Sequence, residues 1–106
     1  MQTAITSRRE ELEKVLSAIQ GVKKAYFQPP PSVKLKFPCI VYSRSGSTST
    51  FADDSPYHNR RRYTVIVIDP DPDTEIPDLV ARLPMCTEDR PYTANNLHHF
   101  PFTLYF

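Results

Sequence analysis

The run of four β-branched residues from Val65 to Ile68 restricts the fold more than any other stretch of this chain. β-Branched side chains favour extended backbone, and a strand that is apolar at every position has to be covered on both faces. Residues 60–68 are therefore predicted to form a central strand whose first half is basic. The strand is predicted to stop at the sequence Asp69-Pro70-Asp71-Pro72-Asp73, because prolines lack the N–H groups that a continuing strand would donate.

A first helix is predicted over residues 7–20. Ser7 and Glu10 have the spacing of a capping box, in which the two residues satisfy each other's main-chain N–H groups. Gly21 stands where a left-handed residue ends a helix. One apolar stripe at helical spacing would face the core, and it consists of Leu12, Val15, Leu16 and Ile19.

The remaining elements complete an α-β-β-β-α-β-β order. A second helix is predicted over residues 74–83, with Pro77 in its first turn, where the missing N–H has no intrahelical partner. Strands are predicted over residues 25–27, 37–43, 85–89 and 97–106. The last of these alternates strictly, with apolar residues Phe100, Phe102, Leu104 and Phe106 on one face. This order predicts an α+β fold in a single domain covering residues 1–106, with a mainly antiparallel sheet of four or five strands and two helices packed on one face.

The three aspartates that follow the central strand resemble the start of a calcium loop, but the rest of that loop is missing. Such a loop needs a glycine at its sixth position and an acidic residue at its twelfth. Counted from Asp69, those positions hold Thr74 and Val80. The cluster is therefore interpreted as a strand stop, with Asp73 or Thr74 as the N-cap of the second helix, and no metal site is predicted.

No catalytic or cofactor-binding motif is found elsewhere. The only glycines, Gly21 and Gly46, do not form a phosphate-binding loop. His98 and His99 are adjacent on a predicted strand and would point to opposite faces, so they do not make an obvious metal site with His58. Cys39 and Cys86 sit in apolar runs without partners at metal-ligand spacing, which predicts a reduced and buried pair in a protein made in a cytoplasm. No stretch is long and apolar enough to span a membrane.

The net charge is +1, but the charges are unevenly distributed. Residues 1–62 carry 11 basic and 5 acidic residues, a balance of +6, whereas residues 63–106 carry 2 basic and 7 acidic residues, a balance of −5. This asymmetry is compatible with head-to-tail association between copies. An uneven spread of ordinary solvated charges is the alternative.

Several segments resemble one family of small proteins encoded in the head–tail gene cassettes of tailed bacteriophages. They are YFQPP and FPCIVYS, the run FADDSPYHNRRRYTVIVIDPDPDTEIPDLVARLPMC, and the closing DRPYTANNLHHFPFTLYF. Together they span nearly the whole chain, and they resemble the tail terminators, also called tail completion proteins. The order of elements is similar to the fold of that family.

The resemblance implies a structural assembly protein without catalytic residues or cofactors. It implies a homo-hexameric ring that caps the tail tube, contacts the tail tube protein on one side and the head-closure or neck connector on the other, and lets genomic DNA pass without sequence specificity. The protein would then reside in the virion at the head–tail junction, after assembly in the host cytoplasm. Another neck component (a head-closure or adaptor protein), a small nucleic-acid-binding module and an uncharacterised enzyme are the alternatives.

Residues 44–59 are predicted to form a long exposed loop or β-arm that carries the candidate interface. Phe51 would fill a pocket on a neighbouring subunit or on the tail tube, with Asp53 and Asp54 meeting basic groups there. Arg60, Arg61 and Arg62 of an adjacent subunit are one candidate partner for these aspartates. A loop without a partner is the alternative for the arm, and contact with phosphate is the alternative for the arginines.

Overall fold

A computed structural model describes residues 8–47 and 61–106. The strand predicted as central, now residues Arg61–Asp69, lies in the middle of the sheet. The fold is α+β, as predicted, with two helices and a mixed sheet of six strands. In chain order the elements are α1 (Arg8–Ser17), β1 (Lys24–Phe27), β2 (Cys39–Ser47), β3 (Arg61–Asp69), α2 (Ile76–Ala81), β4 (Cys86–Glu88), β5 (Tyr92–Ala94) and β6 (Leu97–Tyr105).

The strand order is β1-β2-β3-β6-β4, and β5 also pairs with β6. β1 runs parallel to β2, and the other four pairings are antiparallel. The β2–β3 register places Cys39 opposite Ile68 at one end and Ser47 opposite Arg61 at the other. β1 therefore lies at one edge of the sheet, and β4 and β5 lie at the opposite edge.

The main core joins both helices to one set of inward-facing strand residues. Leu12 and Leu16 of α1 and Ile76 and Val80 of α2 belong to a single buried cluster. Fully burying a side chain of this size contributes about 1.5–3 kcal/mol. We call this the helix side of the sheet. Its strand members are Ala25, Ile40, Tyr42, Tyr63, Val65, Val67, Phe102 and Leu104.

The opposite side of the sheet is covered by the connection from β1 to β2, residues 28–38, which we call the crossover. Two parallel strands require a connection that returns along the sheet. Leu35 and Phe37 of the crossover pack against a second buried cluster formed by Tyr26, Cys39 and Ile68. β3 thus has a core on each face, and this explains its unbroken apolar run.

Several predicted boundaries are wrong, and each error has a local cause. The sheet has six strands, not four or five, because residues 92–94 form a separate strand against β6. Residues 44–47, predicted as part of an exposed loop, extend β2, because main-chain pairing with β3 does not require apolar side chains. α1 ends at Ser17 and α2 spans only Ile76–Ala81. Gly21 has the expected positive φ of 96° but lies beyond the last helical residue, in the turn that leads to β1. Ser7 lies outside the described residues.

Candidate interaction surfaces

The start of β3 forms a basic end of the molecule, which we call the hairpin end. Arg61 and Arg62 are exposed, and the Arg62 guanidinium donates to the main-chain oxygen of Ser45 at 2.8 Å. Arg8 donates to the main-chain oxygen of Phe106, and its guanidinium lies 4.4 Å from the centre of the Phe106 ring. The described arginines of this end are Arg8, Arg44, Arg61 and Arg62.

The other predicted interface residues lie outside the described residues. These are Phe51, Asp53, Asp54 and Arg60. Their pairing with a neighbouring subunit or with the tail tube stays a prediction. Arg61 and Arg62 are placed at an exposed strand end, where they are accessible to a partner.

The end of β3 forms the opposite, acidic end, which we call the aspartate corner (Asp69, Asp71, Asp73 and Glu75). The Asp71 N–H donates to Asp69 Oδ1 at 2.8 Å, and the Asp73 N–H donates to Asp71 Oδ1 at 2.9 Å. Each carboxylate thus closes a turn over the next aspartate. The predicted strand stop is confirmed, because β3 ends at Asp69.

The predicted helix cap is only partly right. The residue at the N-cap position is Glu75, whose side chain makes no capping hydrogen bond, so Asp73 is not the cap. The Thr74 hydroxyl accepts from the N–H of Ile76, the first helical residue, at 3.3 Å. A depression of about 440 Å³ lies beside the corner, with Gln20, Gly21 and Pro38 on its other wall. Over residues 8–47 and 61–106 no three His, Cys, Asp or Glu side chains are grouped so that they could hold a metal ion.

The two described histidines belong to the β5–β6 pairing. The Tyr92 ring stacks on His99, with centroids 4.7 Å apart and an interplanar angle of 13°. The Nδ1–H of His99 donates to the main-chain oxygen of Leu97 at 3.1 Å. His98 Nδ1 lies 3.4 Å from the Thr93 hydroxyl. These contacts orient the rings within the sheet edge.

Both cysteines are free thiols. Cys39 is fully buried, as predicted, whereas Cys86 is only partly buried. Burial raises the pKa of the Cys39 thiol to about 11, with a smaller contribution from Asp69. Burial also raises the pKa of Cys86 to about 11, helped by the nearby Asp89 and Glu88 carboxylates. Both groups are therefore neutral and weakly nucleophilic near pH 7.

The two edges of the sheet differ in charge. Residues 20–47, which include β1, the crossover and β2, contain five basic residues and no acidic residue. The β4–β5 edge carries exposed Glu88 and Asp89 beside a single basic residue, Arg90. Sequence reasoning found the charge asymmetry but could not assign it to edges, because the assignment depends on strand order.

Two further depressions complete the surface. An open groove of about 600 Å³ follows β1 and includes Arg9, Lys24, Pro29 and Val33 in its lining. A second depression, of about 380 Å³, is lined almost entirely by apolar residues from α1, the α2–β4 connection and the end of β6. No helix in the described part of the chain is long and apolar enough to cross a membrane.

Comparison with known proteins gives no relative. No protein-family model, curated protein or solved structure matches the chain. The resemblance to tail terminators therefore stays a prediction.

Proposed function

We propose that this chain is a structural protein of a tailed bacteriophage, a tail terminator. Six copies would form a ring that caps the tail tube and joins it to the head-closure or neck connector, with the genomic DNA passing through the ring. Such a protein acts through its surfaces and not through catalysis. The sequence resemblance supports this proposal, and so does an α+β fold whose two helices contribute to one core.

The observation that carries the proposal is the opposite charge of the two ends of β3. The nine-residue strand begins with exposed Arg61 and Arg62 and ends at Asp69. At about 3.3 Å per residue, the two ends are roughly 25 Å apart. Among the described residues, no carboxylate of the aspartate corner forms an ion pair, and none pairs with Arg44, Arg61 or Arg62.

Two separated surfaces of opposite charge, which do not pair with each other, fit a protein that is placed between two different partners. Complementary potentials speed association and select the partner at each end. In the proposed ring, the hairpin end and the aspartate corner face different partners. One of them contacts the tail tube, and the other contacts the connector. An uneven distribution of this kind also makes the two faces of the ring chemically distinct, so a ring could attach in only one orientation.

Native mass spectrometry and negative-stain microscopy test this function directly. We expect a species of six times the 12.2 kDa chain mass, either free at high concentration or on tail tubes assembled from the cognate tube protein. Images of tubes with the protein added should show a cap at one end only. A chain that stays monomeric and leaves both tube ends bare would rule out the proposal.

Direct binding of nucleic acid is a second candidate, favoured by the four described arginines of the hairpin end. Each phosphate contact made by a basic side chain adds about 0.9 to the slope of log affinity against log salt for duplex DNA. Fluorescence anisotropy with a duplex, for wild type and for Arg61→Ala/Arg62→Ala, would measure this. Strong binding that the double variant loses, in a chain that never forms rings, would favour this second function.

A further inference from the structure

Two exposed apolar side chains mark opposite edges of the sheet. Among residues 8–47 and 61–106, the large hydrophobic side chains that are most exposed are Val33, at 39%, and Tyr92, at 48%. Single exposed apolar residues are common on proteins. Here, however, each one lies next to an edge strand and among the charged residues of that edge, so each forms part of a larger surface.

The first surface is the β1 groove, whose lining includes Lys24, Tyr26, Pro29, Pro30 and Val33. Arg9 and Glu13 of α1 also line the groove, and their charges pair with each other at 3.3 Å. β1 is an edge strand, and one row of its main-chain N–H and C=O groups faces away from β2. The Lys24 ammonium lies 5.2 Å from the centre of the Tyr26 ring, so a cation sits over the apolar floor. With Lys34 in the adjoining crossover, the groove suits a partner that brings an apolar side chain and carboxylates.

The second surface is the β4–β5 edge, defined by Glu88, Asp89 and Tyr92. Stacking on His99 fixes the direction of the exposed Tyr92 ring. Asp89 Oδ2 accepts from the Thr103 hydroxyl at 2.9 Å, which holds this carboxylate at the edge. Arg90 adds one positive charge beside the two negative charges of Glu88 and Asp89, so the net charge of this edge is negative.

Tyr92 and Asp89 lie on the crossover side of the sheet, whereas Glu88 pairs with Phe102 and lies on the helix side. Tyr92 pairs with His99, and the Asp89 N–H donates to the main-chain oxygen of Pro101. His99 and Pro101 alternate along β6 with Phe100 and Phe102, which pack into the core on the helix side. Tyr92 therefore lies on the side that the crossover covers. Subunits placed side by side in the same orientation would bring one edge against the other on this side.

We infer that the β4–β5 edge of one copy binds in the β1 groove of a second copy. Tyr92 packs against Val33 and the two prolines, and Asp89 faces Lys24 and Lys34, with Glu88 adding negative charge at the same edge. Tyrosine is a frequent anchor of interfaces because it buries a large apolar area and keeps a polar tip. The contact joins two different surfaces, so repeating it gives a closed ring when the rotation allows. This inference rests on the proposed function and specifies the lateral contact of the proposed ring.

Disulfide trapping tests the contact. Chains carrying Val33→Cys and chains carrying Tyr92→Cys are purified separately, mixed at a concentration where wild type is oligomeric, and mildly oxidised. We expect a covalent dimer in the mixture and in neither chain alone. A chain with both substitutions should give a ladder that ends at the closed ring. Wild type under the same oxidant measures the background from Cys39 and Cys86.

A matched control uses Lys14→Cys in place of Val33→Cys, because Lys14 is exposed on α1 and does not line the β1 groove. As a second measurement, Tyr92→Ala should raise the dissociation constant of the oligomer at least tenfold without changing the melting temperature, and Tyr92→Phe should restore assembly.

The outcomes separate this contact from the ring itself. Rings by native mass spectrometry without a Val33–Tyr92 crosslink, or with equal crosslinking in the Lys14 control, would overturn the contact and leave the proposed function standing. Absence of any oligomer, free or on tail tubes, would overturn both. Assembly that is unchanged by Tyr92→Ala would also overturn the contact.

Discussion

At the scale of single residues, a buried tyrosine joins α1 to the sheet. The side chain of Tyr42 is inaccessible to solvent, and its hydroxyl donates to Glu13 Oε1 at 2.6 Å. Arg9 donates to the same carboxylate at 3.3 Å, and its guanidinium lies 5.0 Å from the centre of the Phe27 ring. Burial raises the pKa of Tyr42 to about 12, and the hydrogen bond to Glu13 acts in the same direction.

Tyr42→Phe should lower the free energy of unfolding by about 1.5–3 kcal/mol at pH 7. The variant keeps the ring but removes the hydrogen bond donated to the Glu13 carboxylate and the longer one accepted from Arg9 at 3.4 Å. The loss should depend on pH. The folded-state pKa lies above the value of about 10 for an unfolded tyrosine, so the contribution is fully present below pH 10 and is lost as the pH rises through 12. Urea unfolding at several pH values between 7 and 12 would measure the difference between wild type and variant.

Tyr92→Phe is the control for that series, because Tyr92 is exposed. The raised pKa values of Cys39 and Cys86 also lower stability at alkaline pH, but all three proteins share both thiols. The difference between wild type and Tyr42→Phe therefore isolates one group. A difference that stays constant from pH 7 to 12 would contradict this assignment.

Asp69 is the structural residue of the aspartate corner. It is 4% exposed, and its carboxylate holds the Asp71 N–H. Asp69→Ala should cost roughly 1–3 kcal/mol, because it leaves that donor without a partner in a partly buried turn. Asp69→Asn, which keeps an acceptor oxygen, should cost less, and Asp73→Ala should cost little. Thermal melts would rank the three variants.

Addition of EDTA should leave the wild-type melting temperature unchanged, because no metal site is predicted at the corner. A large drop with EDTA would mean that the corner holds a metal ion.

At the scale of elements, the sequence predicts the strands that have a clear pattern of apolar side chains. It misses the strand segments that are held only by main-chain hydrogen bonds. β3 and β6 were predicted to within one residue, because unbroken or alternating apolar residues identify them. The last residues of β2 have polar side chains and depend on pairing with Arg61 and Arg62. β5 is three residues long and mostly exposed. The parallel direction of β1 depends on the path of the crossover, which no local pattern encodes.

β6 is the element on which the C-terminal half of the sheet depends. It pairs with β3 on one side and with β4 and β5 on the other, and Phe102 and Leu104 are at most 1% exposed. Deletion of residues 102–106 should abolish cooperative folding. The buried side chains alone contribute about 1.5–3 kcal/mol each, and a domain has a total stability of roughly 5–15 kcal/mol.

A graded version of this experiment keeps the chain length. Phe102→Ala should cost about 3–5 kcal/mol, whereas Thr103→Ala, one residue on and facing the other side, should lose only its hydrogen bond to Asp89. Circular dichroism during thermal unfolding would compare them. A truncated chain that still melts cooperatively would show that β6 is dispensable.

At the scale of the whole molecule, strand order converts an asymmetry of sequence into an asymmetry of surface. The charge split could be read from the sequence, and so could the absence of a familiar catalytic motif. The positions of Val33 at one edge and Tyr92 at the other could not be read from the sequence, because neither residue stands out before the strand order is known. The position of Arg61 and Arg62 at the start of a strand could be predicted, since a basic tripeptide before an apolar run is visible locally, but their role in an interface stays a prediction.

Charge reversal at both edges gives a prediction that only a head-to-tail assembly satisfies. One chain carries Lys24→Glu and Lys34→Glu, so that carboxylates stand both at its β1 groove and at its β4–β5 edge. The other carries Glu88→Lys and Asp89→Lys, so that both of its edges are basic. Each chain alone should remain monomeric where wild type forms rings, because like charges then meet at every contact. A mixture should assemble, since each acidic chain can bind only basic neighbours, and the two chains must alternate.

Native mass spectrometry would then show equal numbers of the two masses in every ring, and salt should weaken these rings because exposed charges are screened. Lys14→Glu, a reversal away from both edges, should assemble like wild type. Rings formed by either edge variant alone, or rings of random composition in the mixture, would show that these charges do not determine which surfaces meet.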